Sequence, residues 1–313
     1  MIGIMRVTTD SYCGRFAPSP TGPLHFGSLV AAVGSYLDAR SRAGDWRLRI
    51  EDVDRPRCQP GAADEILRLL EAYGFEWDGD VLYQSRRNDA YRAALERLLA
   101  AGRVFPCACT RSELADSQLS GQTRVASDGA LIYPGACRAG LPDGRAARAW
   151  RLRVDHAHIA FDDAVRGRIE QDLATSVGDF VLLRADGLFA YQLAVVVDDA
   201  EQGINHVVRG ADLLDSTPRQ ILLQQLLQLP LPAYGHLPVV INAVGEKLSK
   251  QTRATPLTRA QARPALFAAL EFLGQAPPAD LKCASLVDLW QWAIEHWVLA
   301  NVPCSNAVAE TFP

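Results

Sequence analysis

The chain has 313 residues, enough for one large core or two domains. Hydrophobic residues make up 49% and charged residues 22%, ordinary for a folded protein, and no apolar run approaches bilayer length. A net charge of −4 argues against a nucleic-acid coat protein but allows a local basic patch; seven cysteines without a visible export signal argue for a cytoplasmic protein rather than a disulfide framework.

Residues 1–13 read as a lead-in to the fold. From Gly14 to Ser28 the density of proline and glycine predicts a shaped loop. Apolar residues at Leu29, Val33, Tyr36 and Leu37 then predict a helix reaching Arg42. A helix N-terminus after such a turn suits phosphate, because its N–H groups are unspent. Trp46 to Asp52 alternates apolar and charged residues, so a strand is expected with Arg47, Arg49 and Glu51 on one face. That face is either solvated or, at Glu51, turned to a ligand at the strand's carboxyl end.

Two helices follow. Ile66, Leu69, Leu70 and Tyr73 mark the first, which Gly74 ends; Asn88 is placed to cap the second, with Tyr91, Leu95, Leu98 and Leu99 on its buried face. Strand–helix alternation indicates a Rossmann-like α/β half. Residues 106–145 interrupt it. Cys107, Cys109 and Cys137 sit beside turn residues and can converge on one tetrahedral ion. Three thiolates leave a fourth position, for which the Tyr133 phenol is the nearest candidate and His156 and His158 are others. Trp150 to Val154 reads as another strand.

The α/β rhythm resumes at Tyr191. The apolar run up to Asp199 is buried, with helix or strand undecided by its period. A short strand ends at Arg209, Ser216 is placed to cap a helix carrying Pro218, and Leu237 to Ile241 is a further strand. Gly245 to Gln251 is a loop with Lys247 and Lys250, read either as solvated surface or as part of a site. From 255 on, helical patterns suggest a small helical domain.

The string Pro18-Ser19-Pro20-Thr21-Gly22-x-Leu24-His25-x-Gly27 resembles the HIGH-type signature of class I glutamyl- and glutaminyl-tRNA synthetases. Lys247-Leu248-Ser249-Lys250-Gln251 looks like their KMSKS loop, with Leu248 for Met and Gln251 for the final Ser. Arg49-Ile50-Glu51-Asp52, the Cys/Tyr/Cys insertion, Val197-Asp198-Asp199 and Val208-Arg209-Gly210 extend the match in order along most of the chain. Ordinary members continue into an anticodon-binding region for which no length remains here. The short, zinc-bearing version is similar to the glutamyl-queuosine tRNA(Asp) synthetase family, which attaches glutamate to queuosine in the tRNA(Asp) anticodon.

The resemblance implies a Rossmann-like catalytic domain in two halves, 14–105 and 186–254, a zinc-bearing insertion at 106–185, and a C-terminal helical domain at 255–313. It implies ATP, Mg2+, one Zn2+, L-glutamate and queuosine-bearing tRNA(Asp), no membrane, a monomer, and glutamate activation without tRNA. Arg15 and Arg209 would clamp the two carboxylates, Glu51 the ammonium, and Tyr191 would donate a hydrogen bond, with Phe16, Ala17, Pro18 and Ser19 also in the glutamate site. His25 with the N–H groups of Gly27 and Ser28 would hold ATP phosphates; Ser28 replaces the second His of the signature. Lys250, supported by Lys247, would neutralise phosphate charge as pyrophosphate leaves. Cys107, Cys109, Tyr133 and Cys137 would hold the metal. Rival readings are a compact glutamyl-tRNA synthetase charging the 3′ end, a non-catalytic nucleotide- or RNA-binding paralogue, and an adenylyltransferase acting on a small acceptor. Retention of Arg15, Glu51, Arg209 and Lys250 disfavours the second, and the glutamate-type pocket with its zinc insertion disfavours the third.

Overall fold

The computed structural model describes residues 11–119, 125, 129, 131–242, 245, 247, 248, 255–305 and 307–309. Lys250, Ser249 and Gln251 of the predicted lysine loop lie outside the described residues. The chain opens with β1 (Cys13–Phe16), α1 (Phe26–Arg40), β2 (Asp45–Ile50), α2 (Ala62–Ala72), β3 (Leu82–Tyr83) and α3 (Asn88–Ala100). It continues through β4 (Val104–Cys107), α4 (Arg111–Leu119), β5 (Ala149–Leu152), β6 (His158–Asp163), β7 (Gly167–Asp172), α5 (Leu173–Ser176) and β8 (Val181–Leu183). The last described elements are α6 (Tyr191–Glu201), β9 (His206–Gly210), α7 (Thr217–Leu227), β10 (Ala233–Leu237), β11 (Val239–Ile241), α8 (Ala262–Phe272), α9 (Leu286–His296) and β12 (Ala307–Ala309).

β1, β2 and β3 pair in parallel, as do β9 and β10. β1 and β9 lie side by side, tied by the Asn205 N–H to the Cys13 carbonyl at 3.0 Å. The resulting order β3-β2-β1-β9-β10 is that of a doubly wound sheet, and the strand order reverses between β1 and β9. A ligand crevice is expected at the carboxyl ends of these two strands. The β6–β7 hairpin, which belongs by sequence to the insertion, docks its end on β10 at the Asp163–Tyr234 pairing. β4, β5 and β8 form a separate antiparallel sheet below the cysteine cluster.

Several local expectations are corrected. Gly14 to Phe16 form β1, so the proline-rich loop begins only at Ala17; Tyr12 is already buried and donates to Asp38 at 2.6 Å, so 11–13 are part of the fold. The run from Tyr191 is a helix: its β-branched valines disfavour that state, but burial overrides propensity. Pro238 has no N–H to donate, and it separates β10 from β11 within the expected single strand. Asn88 is the first helical residue rather than the cap, and neither it nor Ser216 makes a side-chain cap bond; the turn before α7 already runs in 3₁₀ form.

The main core lies around α1, which is buried on nearly every side. Gly34 lets it approach the sheet: a Cβ there would stand 2.5 Å from Leu237 Cδ1. Tyr36, Trp46, Phe75 and Trp290 join β2, α1 and α9 in one aromatic cluster, and α8 packs into the same core. A second core gathers α3, α6 and α7.

Candidate active site and metal cluster

A cavity of about 560 Å³ opens at the β1/β9 reversal. Arg15 and Phe16 come from the end of β1, Ala17, Pro18, Ser19 and His25 from the loop beyond it, and Gly27 and Ser28 from the first turn of α1. Glu51 follows β2, Tyr191 begins α6, Arg209 ends β9, and Lys247 comes from the turn after β11. All line this one cavity, so every predicted glutamate or ATP residue that is described is brought together there. Gly27 gives the His25 ring its place, since a Cβ would stand 3.1 Å from His25 Cε1. The Ser28 N–H donates to the His25 carbonyl at 2.9 Å, so the turn itself spends one of the two N–H groups predicted for phosphate.

The floor is charged and dry. Arg49 is fully buried, which rules out the solvated reading there, while Arg47 on the same face stays partly exposed and pairs with Asp45. It donates to Asp199 Oδ1 at 2.7 Å, to Gln202 Oε1 at 2.8 Å and to Glu51 Oε1 at 3.3 Å. Asp199 is on the last turn of α6 and Gln202 caps its C-terminus, so the helix that the sequence left undecided places both acceptors. Arg15 Nε also reaches Asp199 Oδ1, at 3.3 Å. Burial pushes the Glu51 carboxyl up from the usual range, opposed by the Arg49 and Arg15 guanidinium groups. Burial would raise Asp199 too, but Arg49 and then Arg15 outweigh it and hold that carboxyl below its ordinary value.

Arg209 is pinned at three nitrogens. Nε donates to His236 Nε2 at 3.1 Å, Nη1 to the Tyr191 hydroxyl at 3.3 Å, and Nη2 to Thr217 Oγ1 at 2.8 Å. His236 in turn bonds Asp163 through Nδ1 at 2.5 Å. Lys247 Nζ pairs with Asp212 Oδ2 at 2.7 Å, and the Leu248 N–H to Val240 O bond folds this turn onto β11. Sequence reasoning missed the roles of Arg49, Asp199, Asp163, His236, Thr217 and Asp212. Arg49 and Asp199 stood in segments that the resemblance matched, but with no role assigned to them.

Away from this cavity, Cys107, Cys109 and Cys137 bring their sulfurs within 4.8 Å of one another. Cys109 and Cys137 Sγ are 3.7 Å apart, and the Tyr133 hydroxyl lies 3.4 Å from Cys107 Sγ and 3.6 Å from Cys109 Sγ. A tetrahedral zinc with ordinary bond lengths sets S···S near ~3.8 Å and S···O near ~3.5 Å, so three thiolates and a phenol fit it. The Arg151 guanidinium sits 4.0 Å over the Tyr133 ring. Burial pushes the Cys109 thiol up to about 11, which a bound cation would reverse. His156 and His158 are exposed and outside the cluster.

Residues 13–288 match the family described as tRNA synthetases class I (E and Q), catalytic domain. The chain belongs to this family. Among its relatives is the Glutamyl-Q tRNA(Asp) synthetase of Aromatoleum aromaticum, 65% identical over 93% of this chain and 90% of the relative. The protein of the same name from Dechloromonas aromatica is 64% identical over 95% of this chain and 97% of its own. Among solved structures, a glutamate tRNA ligase from Elizabethkingia meningosepticum in complex with its amino acid superposes with a TM-score of 0.79 at 25% identity, covering 96% of this chain but 67% of that one. This class I synthetase therefore matches glutamyl-Q relatives nearly end to end and about two thirds of a glutamate ligase. Among the described residues, no helix is long and apolar enough to cross a membrane.

Proposed function

We propose that this protein activates L-glutamate with ATP, without tRNA, and transfers it to queuosine in the anticodon of tRNA(Asp). The observation that carries this is the near end-to-end identity with the Glutamyl-Q tRNA(Asp) synthetases, at 65% over 292 residues. The cavity chemistry supports it. Glutamate brings two carboxylates and one ammonium. Arg209, held at Nε by His236 and at Nη2 by Thr217, would take one carboxylate through Nη1 beside the Tyr191 hydroxyl; Arg15 spends Nε on Asp199, which leaves its Nη end for the other. Glu51 would take the ammonium, Tyr191 would donate its hydroxyl, and Phe16, Ala17, Pro18 and Ser19 would wall the pocket.

In the first step a glutamate carboxylate oxygen attacks the α-phosphorus of ATP and pyrophosphate leaves, giving the mixed anhydride. His25 and the Gly27 N–H would hold the phosphates with Mg2+, Ser28 contributing through its hydroxyl because its N–H is already bonded to His25, and Lys250, supported by Lys247, would neutralise the leaving charge. Such donors are worth on the order of 10²–10³ in rate. In the second step a queuosine hydroxyl attacks the activated carbonyl and AMP leaves, which needs positioning more than strong acid–base help. One Zn2+ on Cys107, Cys109, Tyr133 and Cys137 would brace the insertion, with all four positions filled by protein and none open for catalysis. We infer a monomer acting in the cytoplasm, where ATP and tRNA meet.

The test is which RNA accepts labelled glutamate. Queuosine-bearing tRNA(Asp), or its anticodon stem-loop, should be labelled; the same RNA with guanosine should not. Label on the 3′-terminal adenosine of tRNA(Glu) would overturn the proposal in favour of a compact glutamyl-tRNA synthetase.

A further inference from the structure

The glutamate site as read above contains Arg209, but what aims Arg209 lies behind it, outside the cavity. Asp163 ends β6, His236 sits in β10, and both side chains are fully buried. Asp163 Oδ1 accepts three backbone N–H groups, from Val165 at 3.0 Å, Arg166 at 2.9 Å and His236 at 3.1 Å. Its other oxygen, Oδ2, bonds His236 Nδ1 at 2.5 Å. A carboxylate can only accept, so the histidine hydrogen is on Nδ1. Nε2 is then a lone-pair acceptor, and Arg209 Nε–H donates to it at 3.1 Å. The Thr217 hydroxyl, which also takes a bond from Arg209 Nη2, lies 3.0 Å from the same nitrogen.

We propose that Asp163 and His236 are positioning residues for the amino-acid substrate: they fix the neutral Nδ1–H tautomer that holds the Arg209 guanidinium toward Tyr191 and the cavity. This rests on the reading of Arg209 as a glutamate clamp. Burial lowers His236 to about 4, so the imidazole stays neutral at working pH. Neither residue touches the cavity wall. The contact from Asp163 also means that a hairpin of the insertion helps set the amino-acid pocket.

The decisive variant is Asp163→Asn in the full chain. The three backbone donors require an oxygen at the Oδ1 position, so the amide NH₂ must occupy the Oδ2 position. It then donates to Nδ1, the hydrogen moves to Nε2, and Nε2–H confronts Arg209 Nε–H. Nitrogen-15 NMR of His236 should report Nδ1–H in the wild type and Nε2–H in the variant. In glutamate-dependent ATP–pyrophosphate exchange, KM for glutamate should rise about tenfold or more, as expected for a lost bond to a charged group, with KM for ATP unchanged. His236→Gln beside the native Asp163 keeps the same pattern, its NH₂ donating to Asp163 Oδ2 and its oxygen accepting from Arg209 Nε, so this variant should keep the glutamate KM near that of the wild type. A flipped tautomer with unchanged KM for glutamate, or equal rises in both KM values, would overturn the inference. If the wild type gives no glutamate-dependent exchange, the functional reading fails instead. A crystal structure of Asp163→Asn still decides the positioning: a displaced Arg209 guanidinium supports it, and an unmoved one overturns it.

Discussion

Asp199→Ala tests the charge balance beneath the cavity. The charged groups there are Arg15, Arg49 and Arg209 against Glu51 and Asp199, with the buried Asp198 also acting on Arg49. Asp199 Oδ1 accepts from Arg49 at 2.7 Å and Arg15 at 3.3 Å, and its side chain is only 6% exposed. Removing it leaves two buried guanidinium groups with Glu51 as the nearest carboxylate and Asp198 farther behind Arg49. Breaking a buried pair in this way costs about 3–5 kcal/mol. At about 2–4 °C per kcal/mol for domains somewhat smaller than this one, melting should fall by roughly 6–20 °C in a thermal scan followed by circular dichroism. Adding Arg49→Met to Asp199→Ala should recover part of the loss, because the uncompensated cation is gone while its volume stays. The wild type should also carry an acid dependence that Asp199→Ala lacks. The folded-state pKa is depressed, so the unfolded state binds the extra proton; the stabilisation is complete above the ordinary value of 3.8 and is lost as pH falls toward the lower folded value. A loss in Asp199→Ala below about 1 kcal/mol, the size of an ordinary surface change, would refute the account of this cluster.

Arg209→Lys cannot reach His236, Tyr191 and Thr217 from one ammonium, so KM for glutamate should rise about a hundredfold with the loss of two charge-assisted bonds, and steady-state exchange showing a fall in kcat alone would contradict this. Purified protein should contain one zinc per chain, and Cys109→Ser should lower that content and speed proteolysis within 106–145 while ATP binding persists; metal analysis decides. His236 is lowered to about 4 in the fold, so its contribution to stability is present above 6.5 and is lost as pH falls from 6.5 toward 4; His236→Gln should flatten that limb of a pH–stability curve. Lys250→Ala should slow pyrophosphate exchange roughly a hundredfold with little change in glutamate affinity.

Motif and period carried the sequence a long way. The proline–glycine string before an apolar helix, the alternation around Arg49 and the Cys-x-Cys spacing each reflect a short-range constraint: a turn, a strand face, a chelate. These are legible because neighbours in sequence are neighbours in space. Tyr191 to Asp199 was not legible, since its apolar stretch from Leu193 to Val197 has no period and only burial between other elements made it helical. The alternation around Arg49 left its face open between solvent and a site; its partner Asp199 lies 150 positions away, and only the β1/β9 reversal brings them together. Asp163 and His236 carried no signal, being 73 positions apart on strands assigned to different segments. Residue types and local order thus determined what chemistry the chain can hold, while strand order decided which charges meet away from water, because pairing energy there depends on distance and burial that no local pattern encodes.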